Sequence, residues 1–211
     1  MKTRDRILET AIGLFNEKGT RAVTTNHIAA ALGISPGNLY YHYRNKEEIL
    51  RAVFDQMDRV GREEYASITA ARGPGAPESM EETFLMIQRF NWRYRFFKRE
   101  MMGLVQADPE LKERFVQAHR AHLAMIRAAL DRASEQGFLR HASEEERALL
   151  TEEVWLICLF WPNYVEIGGE EVTEETLQRG SGLLRSVLRP HLVGEAGDGP
   201  PPPVGTRGAS R

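Results

Sequence analysis

The stretch TTNHIAAALGISPGNLYYHYRNK, residues Thr24 to Lys46, restricts the folds open to this chain more than any other segment. Thr24 and Thr25 each bring a side-chain oxygen that can cap a helix start. Ile28, Ala29 and Leu32 follow on one apolar face at helical spacing. Gly33 stands where a helix end needs a residue tolerant of positive φ, and Ile34 can plug the angle that follows. Ser35 is a good N-cap and Pro36 fits the first position of the next helix. Leu39 and Tyr43, four apart, share an inward face. Asn45 caps a further helix, with Glu48 three residues on in a capping-box-like arrangement. The segment is two short helices joined by a tight glycine turn, a helix-turn-helix.

The outward side of the second helix carries the chemistry. Gly37, Tyr41 and Arg44 point roughly away from Leu39 and Tyr43, flanked by Asn38 and Tyr40. Gly37 removes bulk where a helix approaches a groove floor. Asn38 can read a base edge, and the tyrosine hydroxyls, His42 and Arg44 can reach phosphates. Lys46 adds positive charge at the first turn of the following helix, where free N–H groups already favour phosphate. Thr24, Thr25, Ser35, Gly37, Asn38, Tyr40, Tyr41, His42, Arg44 and Lys46 are therefore candidate contacts to double-stranded DNA. A plain three-helix bundle gives no reason for Tyr40, Tyr41 and His42 to stand exposed in a row.

Residues 4 to 50 closely resemble the N-terminal domain of TetR-family transcriptional regulators. The resemblance lies in a first helix with Leu14, Phe15 and a closing Gly19, then TTNHIAAALGIS, then LYYHYRNKEEIL. It implies a homodimeric regulator that binds a palindromic operator and is released by a small-molecule inducer held in a helical body. The remainder of the chain is similar to the family in layout: helical and of suitable length.

The chain has 211 residues and a formal net charge of -2, unevenly spread. Residues 1–46 hold Lys2, Arg4, Arg6, Lys18, Arg21, Arg44 and Lys46 against Asp5, Glu9 and Glu17, a balance of +4, which leaves -6 for the rest. A basic head on an acidic body suits a phosphate-binding module joined to a domain with another task. The lone cysteine, Cys158, excludes an internal disulfide framework and fits a reducing compartment. The charged start MKTRDRILE is not a secretory signal. The apolar run from Val154 to Pro162 is far shorter than the roughly 20 residues a membrane helix needs. A cytoplasmic protein with no membrane partner is expected.

Nearly everything else reads as helix, giving an all-α fold of about nine helices. The expected division is a DNA-binding domain over 1–47, a ligand-binding and dimerisation domain over 48–192, and a disordered Gly/Pro-rich tail over 193–211. A fourth helix from Asn45 runs through Val60. Gly73 to Pro77 forms a loop, and Ser79 with Glu82 is a capping box opening a fifth helix. That helix carries Ile87, Phe90, Tyr94, Phe97 and Met101 on one stripe, ahead of a short sixth. Asp108-Pro109 opens a long seventh, Ser143 with Glu146 an eighth, and Thr173 a ninth ending near Arg189-Pro190.

Aromatic and Met residues crowd this body. The expected pocket is Phe90, Asn91, Tyr94, Phe97, Met101, His119, His122, Ile126, Trp155 and Leu159, soft walls for a small molecule. His119 and His122 lack a third ligand in a recognisable pattern, so no metal or other cofactor is expected. Arg89, Arg93, Arg95, Lys98 and Arg99 form a basic run that can attract an anionic ligand, or can form, with the Glu-rich segment 143–175, two solvated faces or mutual ion pairs; the latter, solvated or paired, is the expectation. Val154 to Trp161 is apolar all round, and the ninth helix has small residues at 180–182. A four-helix dimer interface through Val154, Ile157, Trp161, Leu177, Gly180, Leu184 and Leu188 follows. Pro162 should kink the eighth helix or relieve its packing. No nucleophile–base pair or phosphate loop is visible, so catalysis is not expected. The alternative within reach is a DNA-binding regulator that senses no small molecule.

Overall fold

The structure, a computed structural model, describes residues 2–73 and 75–193. Among them are nine α-helices and no strand: α1 Thr3–Lys18, α2 Thr25–Leu32, α3 Pro36–His42, α4 Lys46–Arg72, α5 Pro77–Arg93, α6 Arg95–Ala107, α7 Pro109–Glu135, α8 Glu144–Ile167 and α9 Glu174–Leu188. A 3-10 turn, Arg189–His191, follows, and an isolated antiparallel bridge pairs Leu139 with Leu192. The tail expected to be disordered lies outside the described residues from 194 on. Its first residue, Val193, is described and donates its N–H to Phe138 O at 3.0 Å.

The sequence signals set most boundaries as expected. Thr24, Ser35, Asn45, Asp108, Ser143 and Thr173 each accept a backbone N–H at the start of a helix. Gly33 ends α2 at φ 70, ψ 32, the left-handed geometry that turns the chain into α3. Two expectations fail. Ser79 caps nothing: α5 starts at Pro77 with Ala76 ahead of it, because proline's fixed φ suits the first helical position, and Ser79 is buried within the first turn.

The second failure matters more. The stripe from Ile87 to Met101 does not lie on one helix, because the chain breaks at Tyr94 (φ −109, ψ 33). The break leaves backbone groups without helical partners, and Asn16 of α1 supplies them. Its Nδ2 donates to Arg93 O at 2.8 Å, and its Oδ1 accepts from Phe96 N–H at 3.0 Å. Periodicity cannot see a partner nearly 80 residues away.

One core runs from the N-terminal helices into the body. Ile7, Ala11, Phe15, Ile28, Leu39, Ile49 and Val53 join Tyr94, Phe96, Phe97 and Leu111 in a single buried cluster, with the Phe15 and Phe96 rings 5.2 Å apart. The boundary expected at residues 47 and 48 falls in the first turn of α4. A second cluster, with Phe84, Leu130, Val154, Cys158, Trp161, Leu177 and Leu184, binds α5, α7, α8 and α9. Within it, Pro162 has no N–H to give the carbonyl four residues back, that of Cys158. Gln88 Nε2 (3.2 Å) and Asn91 Nδ2 (2.7 Å) of α5 donate to that carbonyl instead.

Gly180 lets α9 approach α8 of its own chain. A Cβ there would lie 2.6 Å from Trp161 Nε1 and 2.8 Å from Phe84 Cζ, whereas nothing lies within 4 Å at Gly182. Gly180→Ala is expected to lose about 1–3 kcal/mol in a urea titration through overpacking. Gly182→Ala, on an exposed helix face, is expected to gain up to about 1 kcal/mol from helix propensity.

Candidate nucleic-acid interface and ligand cavity

The α2–α3 unit presents most of the expected face. Gly37, Asn38, Tyr40, Tyr41 and Arg44 are exposed, and Tyr41 is 86% so. Leu39 and Tyr43 point inward as expected. Arg4 of α1 seats Tyr43: its Nε donates to the hydroxyl at 3.0 Å and its guanidinium lies 5.2 Å from the ring centroid. Burial raises the Tyr43 pKa above the usual phenol value, opposed by Arg4. The half-buried His42 ring stands edge-on to Tyr41, centroids 5.2 Å apart. Thr24 accepts from His27 N–H and Ser35 from Asn38 N–H, so both oxygens serve helix starts. Thr25 and Tyr40 hydroxyls are 3.2 Å apart and tie α2 to α3.

Lys46 departs from expectation. Its Nζ donates to Thr20 O at 2.8 Å and Val23 O at 3.1 Å, closing the α1–α2 connection. Two of its three donors are spent inside the head, so it is first a clamp and only secondarily a cation for phosphate.

Behind this head lies a partly open cavity of about 190 Å³, walled mainly by α4, α5, α6, α7 and α8, with Leu184 of α9 at its edge. Eight of the ten expected residues line it: Phe90, Asn91, Phe97, His119, His122, Ile126, Trp155 and Leu159. Tyr94 and Met101 do not; the helix break turns both into the core cluster, where Tyr94 packs 4.8 Å from Phe90. The α4 wall, Phe54, Met57, Asp58, Gly61, Arg62 and Tyr65, was not anticipated. Asp58 pairs with Arg62 through one carboxylate oxygen, and its other oxygen is buried without a hydrogen-bond partner.

His119 and His122 pack on the Trp155 indole, each with its centroid 5.3 Å away. Burial, then the nearby positive charge of Lys98, lowers the His122 pKa to about 4, so the imidazole is neutral at physiological pH. Burial lowers the Lys98 amine to about 8 and raises the Cys158 thiol to about 12. That thiol stays protonated and unreactive. Among the described residues no three His, Cys, Asp or Glu side chains gather as a metal site would require.

Comparison with known proteins places the chain in a family. The family profile described as "Bacterial regulatory proteins, tetR family" matches residues 7–53, and one described as "Bacterial transcriptional repressor", TetR, matches residues 59–198. The second alone covers more than half of the chain. The chain belongs to the TetR family. A TetR-family regulator from Marinobacter aquaeolei has 34% sequence identity and a TM-score of 0.82, with 92% of this chain and 93% of that one aligned. The negative regulator of the icaADBC biofilm operon, IcaR of Staphylococcus epidermidis, is 48% identical over 48 residues, 23% of this chain and 26% of IcaR. The chain thus spans about a quarter of the length of that curated relative. SmeT, solved as a complex with triclosan, shares the fold at 22% identity, TM-score 0.67, over 91% of this chain and 92% of SmeT.

The TetR-like body corrects the expected dimer face. Val154, Trp161, Leu177, Gly180, Leu184 and Leu188 are all buried within this chain's own second core, and Ile157 packs against it half-buried. Periodicity marked α8 and α9 as more apolar than one face requires, but not which face stays inside. The exposed apolar row of the same helices is Leu149, Leu156, Phe160, Tyr164 and Ile167 of α8 with Leu183 of α9. Its spacing was present in the sequence. So was Lys98, a lysine set among Phe97, Met101 and Val105 on an otherwise apolar helix face. No local signal pointed to Asn16. Among the described residues no helix is long and apolar enough to cross a membrane.

The placement of Lys46 and Arg44 separates their substitutions. Lys46→Met is expected to lower stability by roughly 1–3 kcal/mol in urea, having removed charged hydrogen bonds to two carbonyls. Arg44→Ala is expected to leave stability unchanged and to reduce the salt slope of DNA binding by about 0.9.

Proposed function

We propose that this protein is a homodimeric transcriptional repressor that grips a palindromic operator with α3 and lets go when a small molecule fills its cavity. The observation that carries the reading is the pairing of two features in one chain. An exposed polar-aromatic face, Asn38, Tyr41 and Arg44, stands on the head, and an apolar cavity with a few polar groups lies in the body behind it. A protein of the same fold is known in complex with triclosan, which supports a small molecule as the body's ligand. Residues 1–47 are assigned to DNA reading and 48–192 to ligand binding and dimerisation.

Dimerisation is assigned to the exposed row rather than to the buried one. Leu156, Phe160, Tyr164 and Ile167 recur at three- and four-residue spacing along α8, and these exposed apolar side chains, with Leu183 of α9, are what a second copy covers by two-fold symmetry. Two α3 helices then reach half-sites about 34–36 Å apart, or a multiple of it.

The switch follows from shared helices. α4 carries the head's last core residues, Ile49 and Val53, and then the cavity wall from Phe54 to Tyr65. A ligand that prefers a shifted α4 changes the distance between the two heads, and a coupling of about 1–3 kcal/mol is enough for a useful response.

Selection of bound fragments from a random DNA library tests the reading. An enriched inverted repeat is expected; recovery of no preferred sequence, with affinity that only tracks salt, would argue for a non-specific binder. Sedimentation at micromolar concentration separates the two candidate dimer faces. Phe160→Glu should give a folded monomer, and Leu184→Glu should lose helical structure by burying an unpaired charge. A fully dimeric Phe160→Glu places the interface elsewhere.

A further inference from the structure

The basic run at residues 89–99 resolves unevenly. Arg89 pairs with Glu174, Arg93 with Glu9 at 3.0 Å, and Arg99 with Glu166. Arg95 donates to Trp92 O at 3.2 Å and stacks 4.8 Å from that ring's centroid. These four guanidinium groups are engaged at the surface. Lys98 turns the other way. It is half-buried and lines the cavity, and it makes no hydrogen bond or ion pair.

The charges around it do not compensate it. The ionisable groups on the cavity wall are Asp58 and Arg62, paired with each other, the imidazoles of His119 and His122, the Cys158 thiol and the Tyr65 phenol. With His122 neutral and Cys158 protonated, Lys98 is the one cation of the wall without an acidic partner among the described residues. An ammonium held in apolar surroundings is unstable unless something pairs with it.

We infer that the ligand of this cavity is an amphiphilic anion, an apolar body carrying one acidic group whose negative charge pairs with the Lys98 ammonium. His122, uncharged beside it, is available to hydrogen-bond the same group, and the Phe90, Phe97 and Trp155 rings receive the apolar body. The inference rests on the cavity being the ligand site. It also gives the lysine a proton to gain. Burial holds the amine's pKa at about 8, and an adjacent anion raises it, so binding takes up a proton at about pH 8.5–9 and none at about pH 6.

Two fluorescent probes of the same apolar body test this: 1-anilinonaphthalene-8-sulfonate, which is anionic, and N-phenyl-1-naphthylamine, which is neutral. Both are titrated into the full-length wild type, Lys98→Met, Lys98→Arg and Ala118→Trp, whose indole fills the cavity from α7. Lys98→Met is expected to weaken the sulfonate on the order of tenfold or more while leaving the neutral probe within about twofold. Lys98→Arg should keep the preference for the anion. Calorimetry of the sulfonate near pH 8.5 in buffers of different ionisation enthalpy should show proton uptake in the wild type and none in Lys98→Met. If Ala118→Trp abolishes both probes yet Lys98→Met binds both as the wild type does, the anion inference is overturned and the cavity remains a ligand site. If Ala118→Trp affects neither probe, the cavity reading itself fails and the anion inference with it.

Discussion

The side-chain amide of Asn16 holds this structure's two halves in register. It fills the gap between α5 and α6, giving a donor to Arg93 O and an acceptor to Phe96 N–H. Without it, Arg93 O would be left to solvent and the part-buried Phe96 N–H would lack a partner, the latter at a cost of about 1–3 kcal/mol. The break sets the direction of α6 and so turns Phe97 and Lys98 to the cavity and Tyr94 and Met101 to the core. The same helix reaches the head again through Glu100, which accepts the Thr20 N–H at 3.0 Å and the Thr20 hydroxyl. Thr20 O in turn receives Lys46. A chain of hydrogen bonds therefore links the cavity's α6 wall to the loop that positions α2 and to the first residue of α4.

A second constraint shapes the far side of the cavity. Pro162 frees the Cys158 carbonyl, and two α5 amides take it up, which pins α5 to α8 across the second core. Trp161 is pinned as well, its Nε1 donating to Thr176 O at 2.9 Å over the bare Cα of Gly180. With these anchors the inner face of α8 is committed to its own chain. Its outer row, from Leu149 to Ile167, is what remains for a partner.

The head was legible because its signals are local. A cap, a glycine in left-handed geometry, a proline at a first helical position and two inward residues four apart all lie within some twenty positions, and each acts on its neighbours. The pocket was legible in composition, since helical stripes of Phe, His and Trp have to meet somewhere in an all-α body. Other features were not, because they depend on contacts distant in sequence. Asn16 has no neighbour that marks it as a bridge. Lys46 reads as a phosphate contact until Thr20 O and Val23 O are seen beside it. Gly180 does admit a close helix, but that helix belongs to the same chain. The run from Ile87 to Met101 keeps helical periodicity across a break that only a tertiary hydrogen bond stabilises.

The central claim is that occupancy of the cavity and grip on DNA are opposed through α4 and α6. With a compound that releases the operator in hand, its affinity is measured by calorimetry for the free protein and for the protein saturated with operator DNA. Linkage requires weaker binding to the DNA-bound form, by about five- to 150-fold for a coupling of 1–3 kcal/mol. Equal affinity for the two forms would contradict it, because a ligand that does not distinguish the states cannot move one to the other.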